Sequence, residues 1–367
     1  MTQVHSSRRE FLKRTSVGIA IAGFSPVLLA QENLTIGIVY VGPANDLGWN
    51  NAHAAGIASL RGLPGVRIVQ EERVPETNAV ASTMEGMIRQ DGARLILGTS
   101  YGYFDPHMVA LARKYPQVQF RHPAMLWNKD KHPMNLGSYY CYLDQAHYVD
   151  GVAAGLSTKS NKIGFVAPKA IPIVLRNINS VLAGARKVNP NATVTVIFTG
   201  DWSLPIREAE ATNALIDAGC DVIATQVDNP KVLMETAERR GAKTCGTTFS
   251  QASMAPKGFV TGAENKYETV YRIYADYLKK GETLPNVLIG GYDKDMIRNT
   301  PFGPGATDAA RNAATAAIAD MKAGKPVFAG PLKDNKGKVV AAATSGNYDP
   351  ILERMDYLLE GVVGSIT

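Results

Sequence analysis

Apolar runs that alternate with helical patterns limit the fold of this chain more than any other feature of its sequence. The first run, residues 34–41, is rich in β-branched side chains and is typical of a buried strand. Residues 52–60 follow with apolar side chains at helical spacing. The same order repeats as far as residues 118–120 and starts again at residues 162–166. This alternation predicts parallel sheets with right-handed crossovers, and the restart predicts an α/β protein of two doubly wound, Rossmann-like lobes.

Several short connections are expected between the two lobes, which favours a hinge over independent domains. We expect the first lobe to span residues 34–142 and to be completed by residues near 262–325. The second lobe is expected to span residues 143–261 and to be completed by residues near 326–367, with a last helix near 349–361. A chain of 367 residues is long enough for two cores of this size.

The first thirty residues predict export from the cytoplasm. Twin arginines, Arg8-Arg9, precede Phe11-Leu12-Lys13 and a mildly apolar run at residues 17–30. This order resembles the signal of the twin-arginine export route, with cleavage near Ala30. An ordinary secretory signal, the plainer alternative, leads to the same compartment. No cysteine lies near the cleavage point and no later apolar stretch reaches about 18 residues, so we expect a soluble periplasmic protein.

Charge and motif content exclude several classes of function. Residues 1–30 carry four basic side chains and one acidic side chain, or +3 of the net charge of +6. The remaining +3 is too weak to indicate nucleic-acid binding. Three cysteines, an odd number, argue against a disulfide framework, and neither they nor the six histidines show metal-ligand spacing. We find no H-E-x-x-H and no P-loop pattern, and we expect no metal, no cofactor and no enzymatic activity.

Unusual side chains follow the ends of the predicted strands. In open α/β sheets the carboxyl ends of the strands form the ligand-binding edge. The residues at these positions are Asp46, Trp49, Asn50, Tyr101, Tyr103, Phe104, Asp105, Asp201, Trp202, Asp228 and Asn229. Closure of the lobes would allow Trp49 and Trp202 to sandwich a planar ring, a contact that adds about 0.5–1.5 kcal/mol beyond buried area. In the alternative interpretation, Asp46 caps a helix and the aromatic side chains pack in the core.

Several stretches of the sequence resemble one family of transport proteins. They are Asp46-x-x-Trp49-Asn50, residues 98–106, residues 148–156, residues 158–166, residues 184–190 and Gly200-Asp201-Trp202. With these residues the chain resembles the basic membrane protein (BMP) family, which supplies substrate-binding components of ABC importers and includes members that bind purine nucleosides. The resemblance implies a two-lobed periplasmic-binding-protein fold with three crossovers, a small-molecule purine ligand, and an ABC permease of the inner membrane as partner.

The resemblance also implies roles for individual residues. Trp49 and Trp202 correspond to the two stacking aromatic residues. The remaining positions carried over are Asn50 and Asp105, which would hydrogen-bond the base, Asp46, an acidic residue near the ligand, and Lys266, which lies near the family's cleft lysine but matches loosely.

One departure from the family pattern bears on the ligand. Nucleoside-binding members carry G-V-D-x-D-Q after the last strand of the second lobe, and its first acidic residue is placed to hold ribose hydroxyls. Here residues 246–251 read Gly-Thr-Thr-Phe-Ser-Gln, with Thr248 in place of that acid, and the nucleoside loop is replaced by residues 226–230, which include Asp228. Because threonine cannot replace a carboxylate that accepts two hydroxyl protons, we expect a free base such as adenine.

Other functions remain open on the sequence. The chain is expected to act as a monomer, and the alternatives of the same class are a purine nucleoside-binding protein and a periplasmic ligand sensor. A nucleoside hydrolase would need an aspartate metal cluster or a nucleophile with its base, and the sequence indicates neither. Fold alone cannot separate transport from sensing, because both use the same closed pair of lobes.

Overall fold

The computed structural model describes residues 33–344 and 346–366, and the predicted export signal lies outside the described residues. Six parallel strands form the first sheet, in the spatial order β11-β5-β4-β3-β1-β2. They are β1 (Leu34–Val39), β2 (Val66–Glu71), β3 (Leu95–Gly98), β4 (Gln119–His122), β5 (Leu136–Cys141) and β11 (Val287–Gly290). The order 2-1-3-4-5 is that of a doubly wound sheet.

The second sheet repeats this arrangement with seven strands, in the order β12-β10-β9-β8-β6-β7-β15. All neighbours are parallel except β12, which runs antiparallel to β10. The strands are β6 (Lys162–Ala167), β7 (Thr193–Phe198), β8 (Val222–Thr225), β9 (Lys243–Thr248), β10 (Phe259–Asn265), β12 (Ile297–Asn299) and β15 (Val362–Val363). A small hairpin, β13 (Leu332–Lys333) and β14 (Val339–Ala341), follows β12 in the chain. The two doubly wound sheets confirm the predicted fold class.

Helices cover both sheets. They are α1 (Trp49–Ala58), α2 (Asn78–Arg89), α3 (Val109–Lys114), α4 (Asp144–Ser157), α5 (Pro172–Val188), α6 (Pro205–Asp217), α7 (Lys231–Arg239), α8 (Tyr267–Lys279) and α9 (Asp308–Lys322). Apolar side chains of α2 and α3 form a core with one face of the first sheet, and those of α6 and α7 do the same for the second. A larger core joins the opposite faces of both sheets. Both faces of each sheet are therefore covered, as is typical of sheets built mainly from parallel strands.

The chain passes between the two sheets three times: after β5, after β10 and after β11. We call the first sheet with α1, α2, α3 and α8 the first lobe, and the second sheet with the remaining helices the second lobe. The returning segment is shorter than the expected residues 262–325, because β12 pairs with β10 and α9 packs against α4. Only α8 and β11 join the first lobe, where α8 packs against α1 and β11 pairs with β5.

The last helix expected near residues 349–361 is wrong. A single 3-10 turn at Pro350–Arg354 is followed by extended chain that ends in β15. The backbone groups that a helix would use are bonded elsewhere, since the Leu358 carbonyl accepts from the Asn335 amide and the Leu359 amide donates to the Asn179 side chain at 2.8 Å. Among the described residues, no helix combines the length and the apolar character needed to cross a bilayer.

Candidate functional site

A cleft lies between the lobes, at the carboxyl ends of their strands. The first lobe lines it with Trp49, Ser100, Tyr101, His122, Pro123 and Ala124, and the second lobe with Ile173, Trp202, Gln226, Val227, Asp228 and Thr248. We call this space the inner chamber. A more open space, the outer chamber, adjoins it at Trp202 and Asp228 and is also lined by Asp46, Asn50, Glu76, Lys169 and Asp201.

Trp49, the first predicted stacking residue, begins α1 and lines the inner chamber. Its indole Nε1 donates to the Thr99 carbonyl at 2.8 Å. The ring meets His53 and Tyr267 edge to face, with centroids 4.7 and 5.9 Å away. His53 is fully buried, and burial lowers its pKa well below the usual value, so its ring is neutral. The buried rings of His53 and Tyr267 therefore fix the orientation of the Trp49 ring.

Asp46 and Asn50 form the turn that leads into α1. The Asp46 carboxylate accepts from the amides of Gly48, Asn50 and Asn51 at 2.9, 3.0 and 2.9 Å and from the Asn50 side-chain amide at 2.7 Å. This is the helix-capping alternative of the sequence analysis. Both side chains reach only the outer chamber. Their hydrogen-bonding groups already shape the loop that holds Trp49.

Trp202, the second predicted stacking residue, lies in the loop after β7 and lines both chambers. The Lys169 Nζ sits 5.0 Å from the ring centroid and pairs with Asp201 at 2.9 Å. The indole Nε1 of Trp202 is buried and has no hydrogen-bond partner among the described residues. Such a group is costly unless an occupant of the cleft accepts from it.

Glu208, in the first turn of α6, holds the loop that carries Trp202 by a hydrogen bond. One oxygen of this fully buried side chain accepts from the Leu204 amide at 2.7 Å, and the other has no partner within the described part of the chain. Burial raises the pKa of the Glu208 carboxyl to about 7.

Asp228 and Thr248 complete the second-lobe wall. The Asp228 carboxylate, partly exposed to the cleft, accepts no hydrogen bond from any described residue. Burial and then the negative charge of Asp46 raise its pKa well above the usual value. Thr248 has a left-handed backbone, φ +59°, which is rare for a β-branched residue, and its hydroxyl donates to the Thr247 carbonyl at 2.8 Å. Backbone strain of this kind concentrates at functional sites.

The sequence analysis did not single out two polar residues of the inner chamber, His122 and Gln226. The His122 Nε2 faces the Ser100 carbonyl at 2.8 Å, and burial lowers its pKa to about 4, so the neutral ring donates from Nε2. Its Nδ1 then carries a lone pair, without a partner in the described chain. The Gln226 Oε1 accepts from the Asn177 side chain at 2.8 Å. Both residues end or follow predicted strands, so the strand-end rule applied to the other residues also covers them.

Four predicted residues line neither chamber. Phe104 is buried in the core of the first lobe. Tyr103 is fully buried in the first lobe, where its hydroxyl donates to the Val74 carbonyl. Asp105 is exposed on the turn that leads to α3. Lys266 precedes α8 and pairs with Asp295. The structure thus brings five predicted residues together at the inner chamber: Trp49, Tyr101, Trp202, Asp228 and Thr248. It places four others at the outer chamber: Asp46, Asn50, Asp201 and Asn229.

The turn after β3 reads Gly98-Thr99-Ser100-Tyr101-Gly102 and fits the G-x-S-x-G pattern of serine hydrolases, a match that the sequence analysis missed. The geometry does not suit a nucleophile. The Ser100 hydroxyl donates to Glu76 at 2.5 Å, and the His122 ring faces the Ser100 carbonyl rather than its hydroxyl. Ser100 also has ordinary extended backbone, φ −106° and ψ 147°, instead of a strained elbow.

Two doubly wound lobes around a lined cleft are the architecture found in solute-binding proteins. The model of the Bmp family, described as ABC transporter substrate-binding protein PnrA-like, matches residues 33–302. The chain belongs to this family, which confirms the resemblance found in the sequence. The family is a class of transport proteins rather than of enzymes, and its members are periplasmic or extracellular.

Two relatives match along most of their length. A purine-binding protein of Brucella abortus is 29% identical over 342 residues, which cover 91% of this chain and 94% of the relative. A protein of Haloferax volcanii, named provisionally as an ABC transporter glucose-binding protein, is 28% identical over 344 residues, 91% of this chain and 82% of the relative. The two relatives are thus named for different ligands.

Solved structures share the fold. An ABC transporter solute-binding protein from Conexibacter woesei superposes with a TM-score of 0.66 at 21% identity, covering 80% of this chain and 97% of that chain. A solute-binding protein from Aeropyrum pernix gives a TM-score of 0.68 at 16% identity, covering 82% and 93%. At these identities the likeness concerns architecture alone.

Proposed function

We propose that this protein binds a purine between its lobes, with a free base such as adenine preferred, and delivers it to an ABC permease. The observation that carries the proposal is the inner chamber itself. Two indoles, Trp49 and Trp202, line it together with the unpaired carboxyl of Asp228. Aromatic faces suit a flat bicyclic ring, and the carboxyl suits its N–H groups. The purine-binding relative from Brucella abortus supports the same ligand class.

The preference for a base over a nucleoside rests on Thr248. Its hydroxyl already donates to the Thr247 carbonyl, so it can only accept from a ligand. A single neutral acceptor replaces the carboxylate that would hold two ribose hydroxyls, and the contact is weaker.

A purine nucleoside is the second candidate, because of the outer chamber. This chamber joins the inner one at Trp202 and Asp228 and carries the polar side chains of Asp46, Glu76 and Lys169. A sugar attached to the base could extend into it. A periplasmic sensor would use the same closed lobes, so this role is tested by loss of ligand uptake in cells that lack the protein.

The wider proposal concerns location and motion. We infer export by the twin-arginine route with cleavage near Ala30, and action as a periplasmic monomer. The moving bodies are residues 33–142 with 266–290, and residues 143–265 with 297–344 and 346–366. Three crossing segments between them form the hinge, and closure buries the ligand.

Titration calorimetry tests the ligand. The protein, unfolded and refolded to remove carried-over ligand, is titrated with adenine, hypoxanthine, guanine, adenosine, inosine and glucose. We expect a purine base to bind at least about 10-fold more tightly than its nucleoside, a difference of about 1.4 kcal/mol. Tighter adenosine binding would favour the nucleoside alternative. Binding of glucose alone would contradict the purine proposal.

A further inference from the structure

The turn that shapes the first-lobe wall also reaches across to the second lobe. Leu47 has a left-handed backbone, φ +62°, held by the Asp46 carboxylate, which accepts the amides on either side of Trp49. The Leu47 side chain packs against the apolar core under α6 and α7, which belongs to the second lobe. Leu47 lines neither chamber. Its contact is with the opposite lobe rather than with the ligand space.

Two hydrogen bonds accompany this contact. The Gln251 Nε2 donates to the Leu47 carbonyl at 2.8 Å, and the Trp49 amide donates to the Asp228 carbonyl at 3.2 Å. Gly48 lies in the chain between Leu47 and Trp49. A Cβ added to Gly48 would lie 2.0 Å from the Asp228 carbonyl oxygen, which is closer than two such atoms can approach. The glycine is therefore needed for the close approach of the two backbones.

The same residues form the walls of the inner chamber. Trp49 and Asp228 bond to each other through their backbones and line the chamber with their side chains. Gln251 is fully buried, and its amide also bonds the Thr247 amide and carbonyl at 2.8 Å each. It therefore shapes the turn that holds Thr248 in its strained conformation. The position of the walls and the contact between the lobes depend on one another.

We propose that Leu47, Gly48 and Trp49 form a closure latch. By this we mean that their contacts with Asp228, Gln251 and the apolar core of the second lobe hold the two lobes together. The latch stabilises the closed form independently of any ligand and slows ligand escape, although Leu47 touches no ligand. This inference rests on the proposed function only in requiring that a small molecule occupy the inner chamber. A ligand can leave only through opening, so weakening the latch accelerates dissociation although the side chains that line the chamber are kept.

Two variants test the latch, each with a matched control. Leu47→Ala removes the apolar contact, and Leu63→Ala shortens another partly buried leucine of the first lobe. Gly48→Ala forces the two backbones apart, and Gly86→Ala adds a methyl group at a glycine with no atom within 4 Å of the added carbon. Stopped-flow fluorescence gives the dissociation rate of the bound purine, and small-angle scattering gives the radius of gyration without ligand. Calorimetric melting checks that each variant is folded.

We expect dissociation about 10-fold faster in Leu47→Ala, equivalent to about 1.4 kcal/mol, and about 100-fold faster in Gly48→Ala. Both variants should be more expanded than the wild type without ligand, and both controls should match the wild type. Unchanged dissociation and unchanged radius in both folded latch variants would overturn the latch while purine binding stands. If the wild type binds no purine, the proposed function fails, and the ligand-free radius of the variants still decides the latch.

Discussion

The two walls of the inner chamber differ in how their polar groups are used. On the first-lobe wall, Trp49 donates to Thr99, Ser100 donates to Glu76, and the His122 Nε2 bonds the Ser100 carbonyl. On the second-lobe wall, within the described residues, the Trp202 indole N–H and the Asp228 carboxyl have no hydrogen-bond partner. Of the first-wall groups, the His122 Nδ1 is the one left without a partner in the described chain. The second wall leaves a buried N–H donor and a carboxyl free, although its Gln226 and Thr248 side chains are bonded within their own lobe.

This difference suggests that the two walls have different roles in ligand binding. A surface whose groups are already bonded keeps its shape when the ligand is absent, so it offers a preorganised platform. Buried groups without partners discriminate strongly, because a ligand that fails to satisfy them leaves their desolvation uncompensated. We therefore expect the first lobe to provide the flat surface for the ring and the second lobe to select its hydrogen-bonding edge.

The largest effect is expected for the second-lobe carboxyl. Asp228→Asn keeps the size of the side chain but removes the carboxyl, and a buried hydrogen-bonding group left without its partner costs about 1–3 kcal/mol. We predict a dissociation constant about 10- to 100-fold higher by calorimetry. Asp105→Asn, an exposed carboxyl outside the cleft, is the matched control and should bind like the wild type. A strong loss in Asp105→Asn with none in Asp228→Asn would reverse the assignment made from the geometry.

A smaller effect is expected for the second-lobe indole. Trp202→Phe retains an aromatic face and loses the unpaired N–H, so we predict about 5- to 10-fold weaker purine binding, or about 1 kcal/mol. Trp127→Phe is the control, since the Trp127 Nε1 bonds the Pro133 carbonyl at 3.2 Å away from both chambers. Equal affinity of Trp202→Phe and the wild type would show that the free indole N–H donates no hydrogen bond to the ligand.

The anchor of the Trp202 loop should make stability depend on pH. Folding raises the pKa of Glu208 from 4.5 to about 7, so the folded state holds its proton more tightly than the unfolded state. Stability is therefore lost as the pH rises from about 4.5 towards 7. Glu208→Gln cannot titrate, and its melting temperature relative to the wild type should be higher at pH 8 than at pH 5. A difference that is the same at both pH values would mean that Glu208 does not titrate in this range.

The smallest effect is expected on the first-lobe wall. Ser100→Ala removes a hydroxyl that donates to Glu76, and that carboxylate oxygen keeps the Gly102 amide at 2.8 Å. We predict purine affinity within about twofold of the wild type, because the hydroxyl is already bonded within its own lobe. Loss comparable to that of Asp228→Asn would remove the contrast between the two walls.

The strand-end rule explains which parts of the site were visible in the sequence. It placed Trp49, Trp202 and Asp228 at one cleft, because alternating strands and helices determine which edge of a sheet a residue follows. It does not determine where a side chain points. Tyr103 turns into the core to reach the Val74 carbonyl, and Asp105 faces solvent on the same turn.

Features that depend on distant pairings were not visible. The segment expected as a last helix is extended because Lys333 and Asn335 of the hairpin and Asn179 of α5 bond its backbone. Leu47 reads as an ordinary loop residue, since its contact with the second-lobe core exists only once the lobes meet. In both cases the deciding partner lies more than twenty residues away in the chain.

A crystal structure of the protein with its purine bound tests the central claim most directly. The account predicts the ring between Trp49 and Trp202, with the Asp228 carboxyl and the Trp202 Nε1 within about 3 Å of ligand polar atoms and no contact to Asp105. A ligand whose polar atoms are held mainly by first-lobe side chains, with Asp228 and the Trp202 Nε1 still unpaired, would contradict the account.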